Sequence, residues 1–287
     1  MPIAGAKNPR VTVLMPFYNS APFLREATAS ILAQSFGDFE LLAVDDGSTD
    51  DGLAILESFA DPRIRVLHNK ENQGLVASLN RGIAAARGEY LARMDSDDIS
   101  HPERLARQVA YLDTHPEVGV CSTWAVFIDA HGRETGMLRT PTGVHLQCLF
   151  WKPSPLVHAA MLARTALLKQ NLYDPAFTDA EDYELLLRLH SLTSACNLPE
   201  ALYKIRRHGG NVSIAKRNSQ LHNSYRAFCL FVGHEQITYE SFLALSFVSF
   251  SMNPFLRFLA ARKASKRTRV SFPVLVRDCW NYYRKIY

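Results

Sequence analysis

Apolar positions alternate between two spacings along the first half of the chain. Short runs in which nearly every residue is apolar are separated by longer stretches in which apolar residues recur every three or four positions. The continuous runs predict strands buried on both faces, and the spaced stretches predict amphipathic helices. The predicted strands are residues 11–17, 40–44, 64–68, 90–94 and 118–128, and the predicted helices are residues 21–34, 50–59, 75–86 and 102–114. This order predicts an α/β fold in which helices cover both faces of a mostly parallel sheet.

The pattern changes in the second half of the chain. Residues 140–155 are rich in proline, glycine and aromatic residues, which predicts loops and short strands. They are followed by a predicted strand at residues 156–163, a helix at residues 180–192 and a short strand at residues 201–205. Beyond residue 218 the chain is helical in pattern, aromatic and basic. We therefore predict a main domain over residues 1–217 and a helical extension over residues 218–287.

Positive charge is concentrated at the end of the chain. The net charge of +4 is too small to predict nucleic-acid binding. Residues 251–287, however, carry nine Lys or Arg and a single acid, Asp278, interleaved with aromatic residues. That mixture fits an anionic membrane surface, with cations on headgroups and aromatic rings at the interface. The alternative is an extension that packs on the main domain and leaves its cations in water.

The cysteines and the apolar runs indicate a cellular compartment. Five cysteines without a CxxC pair predict reduced thiols in a cytosolic protein. The first ten residues lack the apolar stretch of a signal peptide, and no segment supplies the roughly 20 uninterrupted apolar residues of a membrane span. We expect a cytoplasmic protein, attached peripherally to the inner face of a membrane through residues 251–287.

Three carboxylates follow the predicted strand at residues 90–94. Asp95, Asp97 and Asp98 lie within four positions where a buried strand ends. Like charges this close repel one another and are costly to desolvate, and a divalent cation with oxygen ligands removes both penalties. In open α/β sheets, ligands bind at the carboxyl ends of the strands. The residues alone leave a second interpretation open, in which an aspartate caps the helix that follows.

Five short segments resemble, in order and spacing, the inverting family-2 glycosyltransferases of the GT-A fold. They are residues 13–19, 44–50, 72–75, 88–98 and 180–183. The resemblance covers residues 10–210. It implies a GT-A nucleotide-diphospho-sugar transferase that moves a UDP-linked hexose or N-acetylhexosamine, with inversion, to a hydroxyl of a glycan or lipid-linked oligosaccharide.

The resemblance implies a donor site at the ends of the first two strands. Tyr18 corresponds to the residue that packs on uracil, and Asp45 to the carboxylate that accepts the uracil N3–H. Pro16 and Asp46 belong to the same donor-binding segments. The alternatives are an aromatic residue of the core or a loop for Tyr18, and a turn with a helix cap for the aspartate pair.

The resemblance also implies a metal site in the acidic segment. Asp97 corresponds to a direct ligand of Mg²⁺ or Mn²⁺, and Asp95 to a residue that contacts ribose or reaches the metal through water. We expect Asp98 either to cap the next helix or to support the metal ligands without binding the ion itself. Arg93 would contact phosphate or, as an equally good alternative, form an ion pair with the aspartates.

A catalytic base is expected at the start of the helix predicted for residues 180–192. The resemblance assigns Asp182 to this role, because inversion needs one carboxylate to take the acceptor proton. Asp179 and Glu181 are nearby alternatives, and acids at this end of a helix also simply favour its dipole.

Two further groups are candidates for the cleft. Arg207 and His208, which follow Arg206, resemble a late basic loop that closes over the diphosphate, the alternative being a solvated turn. His158 would line the acceptor pocket or serve as a structural histidine.

Two other functions compete with sugar transfer. A sugar nucleotidyltransferase would carry a glycine-rich basic loop after the first strand, but residues 18–22 contain neither Gly nor Lys. A non-catalytic, membrane-associated scaffold that keeps the fold is the second alternative, suggested by the basic tail.

Overall fold

Nine strands and seven α-helices make up the part of the chain that the structure, a computed structural model, describes: residues 8–142, 155–189, 191–209 and 216–232. The strands are β1 (Val11–Phe17), β2 (Phe39–Asp45), β3 (Ile64–His68), β4 (Tyr90–Arg93), β5 (Ile99–Ser100), β6 (Val118–Ile128), β7 (Glu134–Leu138), β8 (Leu162–Arg164) and β9 (Ser194–Arg206). The helices are α1 (Ala21–Leu32), α2 (Gly52–Glu57), α3 (Leu75–Ala85), α4 (Arg104–Thr114), α5 (Thr165–Gln170), α6 (Glu181–Leu189) and α7 (Arg217–Val232). Single 3₁₀ turns lie at His158–Ala160 and Pro175–Phe177.

The strands form one sheet in the order β3-β2-β1-β4-β8-β6-β9-β5, with β7 paired to β6. The first four are parallel, and β6 and β9 are parallel to each other. Because β8 is antiparallel to both β4 and β6, six strands run in one direction and β5, β7 and β8 run against them. The mostly parallel α/β sheet expected from the sequence is confirmed.

The central strand β1 shows why continuous apolar runs mark this sheet. All seven of its residues are buried. Val13 and Met15 point into one apolar cluster with α1 and α4, whereas Leu14 points into a second cluster with α3 on the opposite face. A strand with one exposed face would alternate polar and apolar residues. Because both faces of β1 are covered, apolar residues lie on both sides of it and no such alternation appears.

Helix α3 lies unusually close to the sheet at Gly82. A Cβ atom built at this position would overlap the Cδ1 atom of Leu14 on β1. The helix can approach this closely only because residue 82 has no side chain.

Several predicted boundaries in the second half are wrong. The strand predicted at residues 156–163 is a 3₁₀ turn at His158–Ala160 followed by the short strand β8. The strand predicted at residues 201–205 is the end of β9, which begins at Ser194. The sequence pattern did not predict β5, β7 or α5.

The C-terminal extension is described only in part. Helix α7 begins at residue 217, close to the predicted boundary, and packs against α6. The remainder of the predicted extension, including the basic segment 251–287, lies outside the described residues, as do residues 143–154 of the predicted loop. Among the residues that are described, no helix combines the length and the apolar character that a membrane crossing requires.

Candidate active site at the carboxyl ends of the strands

The ends of β1 and β2 place an aromatic ring and a carboxylate side by side in the fold. Tyr18 follows β1 and is 47% exposed, so it is not a core aromatic residue. Asp45 ends β2 in register with the end of β1 and is buried. Its Oδ1 accepts a hydrogen bond from the backbone N–H of Ser48 at 2.9 Å, and its Oδ2 lies 2.7 Å from Nδ1 of His68.

Sequence reasoning missed His68 as a member of this group. The residue ends β3, directly opposite Asp45 in the parallel register. About half of its side chain is exposed on the same edge of the sheet as Tyr18. The signal that could have identified it is the alignment of strand ends, because parallel neighbours finish at one edge.

The neighbouring carboxylate, Asp46, holds a loop. Its Oδ1 accepts hydrogen bonds from the side chain of Asn69 at 2.7 Å and from the backbone of Gln73 at 3.0 Å, and its Oδ2 accepts one from the backbone of Gly74 at 2.8 Å. Gly74 has a φ of +89°, in the left-handed region that favours glycine. Both oxygens of Asp46 are therefore bonded to the protein, so any contact with a donor would be an additional one.

The acidic segment lies in the turn between β4 and the short strand β5. Asp95, Asp97 and Asp98 each offer a carboxylate oxygen, and these atoms all lie within 4.8 Å of one another. We call these three residues the acidic triad. Burial and the charge of Asp95 raise the pKa of Asp97, and burial together with the charges of both neighbours raises that of Asp98 still further.

The last strand and the residues after it supply partners to the acidic triad. The backbone N–H of Asp95 donates to the Tyr203 hydroxyl at 3.1 Å, and Oδ1 of Asp98 accepts from the backbone N–H of Arg206 at 2.7 Å. The expectation that Asp98 caps a helix is wrong. Helix α4 begins six residues later, after Glu103, and Asp98 is instead buried between two strands.

Arg93, at the end of β4, is buried and forms an ion pair with Asp95, with Nη1 2.5 Å from Oδ2. Two partners were considered for Arg93, a donor phosphate and the aspartates. The structure shows the ion pair with an aspartate. Beneath it, the fully buried Arg104 donates from Nη1 to the Arg93 carbonyl at 3.0 Å and packs over the ring of Tyr203. Two buried arginines, Arg93 and Arg104, thus lie close to the acidic triad and offset part of its negative charge.

The three basic residues after Ile205 have separate environments. Arg206 is buried, with Nε donating to the Asp97 carbonyl at 2.8 Å and its guanidinium paired with Glu26. Arg207 is exposed and lies over the ring of Phe127. His208 directs Nε2 at Oδ2 of Asp97, at 2.9 Å. Of these three residues only Arg207 is exposed, so both alternatives, the diphosphate-binding loop and the solvated turn, stay open for it.

The start of α6 carries two adjacent carboxylates in different environments. Glu181 is buried, and its burial together with the charge of Asp182 raises its pKa to about 7. Asp182 is partly exposed, and its Oδ1 accepts from the backbone N–H of Tyr183 at 2.7 Å. Burial raises the pKa of the Tyr173 phenol, the charge of Arg93 opposes that rise, and the charges of Glu181, Asp182 and Asp95 add to it. Carboxylates of both acidic groups therefore act on this one phenol.

His158 is held by Tyr173, whose hydroxyl lies 2.6 Å from Nε2 of the histidine. Burial and the nearby charge of Arg93 lower the pKa of His158 well below its usual value. A neutral histidine with a protein partner fits the structural alternative considered for this residue.

Comparison with known proteins gives this arrangement a family context. The model of glycosyl transferase family 2 matches residues 12–172. The chain is 37% identical over 205 residues to the putative glycosyltransferase EpsE of Bacillus subtilis. The aligned region covers 69% of this chain and 73% of that protein. It is 31% identical over 252 residues to an uncharacterized glycosyltransferase of Haemophilus influenzae, covering 80% and 74% of the two chains.

Solved structures with the same fold include two enzyme complexes. The Staphylococcus aureus TarS fragment 1–349 in complex with UDP-GlcNAc has a TM-score of 0.67 at 22% identity, covering 96% of this chain and 90% of that one. The mannosyltransferase PcManGT of Pyrobaculum calidifontis in complex with GDP-Man and Mn²⁺ has a TM-score of 0.63 at 18% identity, covering 98% and 75%. At these identities the likeness shows the fold, and the expected GT-A architecture is confirmed.

Proposed function

Since this chain belongs to glycosyl transferase family 2, we propose that it moves a sugar from a nucleotide diphosphate donor to a hydroxyl group. The proposed donor is a UDP-linked hexose or N-acetylhexosamine, and the proposed acceptor is a glycan or a lipid-linked oligosaccharide. Transfer is proposed to require a divalent cation and to invert the anomeric configuration. The proposal depends most on one observation, the acidic triad at the carboxyl ends of the strands.

The acidic triad has the properties of a Mg²⁺ or Mn²⁺ site. Its ligands are hard carboxylate oxygens, clustered closely enough to share one ion. Burial, together with the charges of neighbouring carboxylates, raises the pKa values of Asp97 and Asp98, and a bound cation would offset both the burial cost and the repulsion. In this proposal Asp97 and Asp95 hold the ion, whose chemistry is to neutralise charge on the departing diphosphate.

The proposed base is Asp182. Its carboxylate takes the proton of the acceptor hydroxyl as that oxygen attacks the anomeric carbon from the face opposite the donor diphosphate. A carbon–oxygen bond to the acceptor forms, the bond to the diphosphate breaks, and the nucleoside diphosphate leaves with the bonding electron pair. Glu181 is less suited to this role because its side chain is buried, whereas Asp182 is partly exposed and can meet an acceptor hydroxyl.

The donor base is proposed to bind at the ends of β1 and β2. Tyr18 offers an exposed ring for stacking on uracil, beside Pro16. Asp45 accepts a hydrogen bond from the uracil N3–H. A carboxylate has about four acceptor sites, and Ser48 and His68 occupy one each, so acceptor sites remain for the base. Asp46 holds the adjoining loop by its hydrogen bonds to Asn69, Gln73 and Gly74, and so contributes to donor binding indirectly.

The diphosphate is proposed to lie between the acidic triad and the residues after β9. Arg207 and His208 extend from this end of the sheet, and the exposed Arg207 supplies a cation. Arg93 acts from behind by holding Asp95.

Domain organisation and membrane attachment are proposed from the sequence. Residues 1–217 would form the transferase domain, and the basic and aromatic segment 251–287 would attach it to an anionic membrane surface from the cytoplasmic side. Such attachment would bring the active site to a lipid-linked acceptor.

A donor panel tests the proposed function. The purified chain is unfolded thermally with UDP- and GDP-linked sugars, each with Mg²⁺, Mn²⁺ or EDTA, and nucleotide release is measured in parallel. We expect UDP-linked sugars to raise the Tm only with cation present, and proton NMR of the released sugar to show inversion at first turnover. Absence of stabilisation by every nucleotide sugar with either cation would rule the proposal out.

A further inference from the structure

Asp179, two residues before the carboxylate pair of α6, adopts a backbone conformation that residues other than glycine rarely take. Its φ is +71°, in the left-handed region. A residue with a side chain remains in this region only where its surroundings hold it there, and such residues concentrate at functional sites. The surroundings of Asp179 are therefore informative about what the start of α6 requires.

The side chain of Asp179 is held by the start of α7. Its Oδ1 accepts from Nζ of Lys216 at 3.0 Å, and its Oδ2 accepts from the hydroxyl of Ser219 at 3.0 Å. The preceding residue is held as well, since the side-chain amide of Asn223 donates to the Thr178 carbonyl at 2.7 Å. Three side chains from the same region thus bind two adjacent residues of the turn.

These contacts lie on one face of α7. Lys216, Ser219, Asn223 and Arg226 recur at helical spacing, and the Arg226 guanidinium lies 5.3 Å from the centre of the Phe177 ring. The same helix buries Ala227 and Phe228 in an apolar cluster with three residues of the turn and of α6: Phe177, Tyr183 and Leu187. Helix α7 therefore packs against α6 through an apolar cluster, and residues at the start of α7 form polar contacts with the turn that precedes α6.

We propose that Asp179 is a positioning residue through which α7 fixes the carboxylates at the start of α6 relative to the cleft. This inference rests on the proposed function, in which Asp182 is the base. Aspartate suits the position because it tolerates the left-handed region and offers two acceptor oxygens to two donors. Without these bonds, the Asn223 contact to the Thr178 carbonyl is the remaining described polar contact between the turn and α7 ahead of Glu181, and Asp182 moves away from in-line geometry.

The connection between the two acidic sites supports this role. His208 is bonded to Asp97 of the acidic triad, and Lys216, only eight positions later, is bonded to Asp179. One short stretch of sequence therefore carries contacts to the metal-site candidate at one end and to the base-bearing helix at the other. Positioning of the base depends on a helix that lies beyond the sheet in sequence.

The test compares Asp179→Gly with Asp179→Asn in the full chain. Glycine keeps the left-handed backbone but removes both acceptors, whereas asparagine keeps one acceptor oxygen. We expect Asp179→Gly to lower kcat roughly ten- to a hundredfold, as displacement of a reacting group by about 1 Å does, with the donor KM unchanged. Asp179→Asn should recover much of that loss, and Ser219→Ala should reproduce part of it from the other side of the contact.

A surface ion pair away from the cleft supplies the matched control. Glu134→Ala removes the 3.1 Å contact with Lys204 between β7 and β9 and should leave kcat unchanged. An unchanged kcat in Asp179→Gly would overturn the proposal, and so would a parallel rise in the donor KM, which would indicate general damage to the site.

Amide hydrogen exchange separates this proposal from the proposed function. Exchange at residues 180–184 should accelerate in Asp179→Gly and in Ser219→Ala, but not in Glu134→Ala. If the wild-type chain transferred no sugar, the proposed function would fail, and the exchange measurement would still decide whether Asp179 anchors α6. Unchanged exchange in both variants would overturn the anchoring.

Discussion

Nε2 of His208 lies 2.9 Å from Oδ2 of Asp97, although the two residues are 111 positions apart. The contact joins the chain just after the last strand of the sheet to the middle of the acidic triad. It brings an imidazole ring into direct contact with a carboxylate whose pKa is raised by burial and by the charge of Asp95. Cation binding at this site should therefore compete with protons.

Removal of the central carboxylate tests the cation site. In Asp97→Asn, the additional rise in Tm that Mn²⁺ produces with a UDP-linked sugar should be lost, because the direct ligand is gone. The rise should also become smaller as the pH is lowered in the wild-type chain, since protons compete with the cation for Asp97, whose pKa is raised by burial and by the charge of Asp95. Differential scanning fluorimetry measures both.

Asp51→Asn is the control for that substitution. Asp51 is exposed at the start of α2 and makes no capping hydrogen bond with its side chain. A loss of the cation effect in this variant as well would show that the assignment to Asp97 is wrong.

The two carboxylates of α6 should separate in their effects on turnover. Asp182→Asn should lower kcat about 10²- to 10⁴-fold, the usual contribution of a general base, while donor affinity is nearly unchanged. Glu181→Gln should cost much less, because this carboxyl is buried and the acceptor hydroxyl reaches it less readily than Asp182. Initial rates together with calorimetric donor binding distinguish the two, and a reversed order of effects would move the base to Glu181.

Glu181 should also make stability depend on pH. Its pKa rises from 4.5 to about 7 on folding, so the native state binds more protons than the unfolded state between those values. Stability is therefore lost as the pH rises through this window and levels off above it. Glu181→Gln should be more stabilising at pH 8 than at pH 5, by about 1–3 kcal/mol in the free energy of unfolding. Urea denaturation at both pH values measures the difference, and an equal effect at both would contradict the raised pKa.

Stacking of the donor base on Tyr18 predicts a loss of affinity in Tyr18→Ala. Stacking of a base on an aromatic ring contributes about 1–3 kcal/mol, so the dissociation constant for UDP should rise roughly 5- to 150-fold. Met137→Ala is the control, because Met137 is equally exposed but lies on β7. Equal UDP affinities in the two variants, measured by calorimetry, would exclude Tyr18 from the donor site.

The close approach of α3 to β1 predicts that an ordinarily favourable substitution is harmful. Alanine stabilises most helices relative to glycine, yet the added methyl of Gly82→Ala would overlap Leu14. We expect a loss of about 1–3 kcal/mol, typical of an overpacked core. Gly37→Ala, where the added Cβ meets no atom within 4 Å, should be close to neutral in the same denaturation experiment.

Local pattern predicted β1 to β4 and β6 because each of these strands is a mostly apolar run in the sequence. Strands β1, β3 and β6 have the predicted bounds. The first part of β9 was missed because it contains Asn197 and Pro199, which do not form an apolar run. Asn197 is nevertheless compatible with burial, since its side-chain amide donates to the carbonyls of Pro141 and Pro155. Partners that distant along the chain leave no local signal.

The same limit applied to the candidate site. The acidic triad could be located from its sequence, because three carboxylates after an apolar strand are conspicuous. The burial of Asp98 could not, since its partner is the backbone of Arg206, 108 positions later. The contact of His68 with Asp45 follows from strand register and was equally invisible in the local pattern.

The long reach of β9 has a consequence for biosynthesis. Strand β9 pairs with both β5 and β6, and its end supplies Tyr203 and Arg206 to the acidic triad. A nascent chain that has emerged from the ribosome only as far as β6 carries the three carboxylates without these partners. Domains usually acquire structure in the order of synthesis, but contacts of such high sequence separation form late. The parallel half of the sheet can therefore assemble early, whereas the acidic triad is completed only after nearly three-quarters of the chain has been translated.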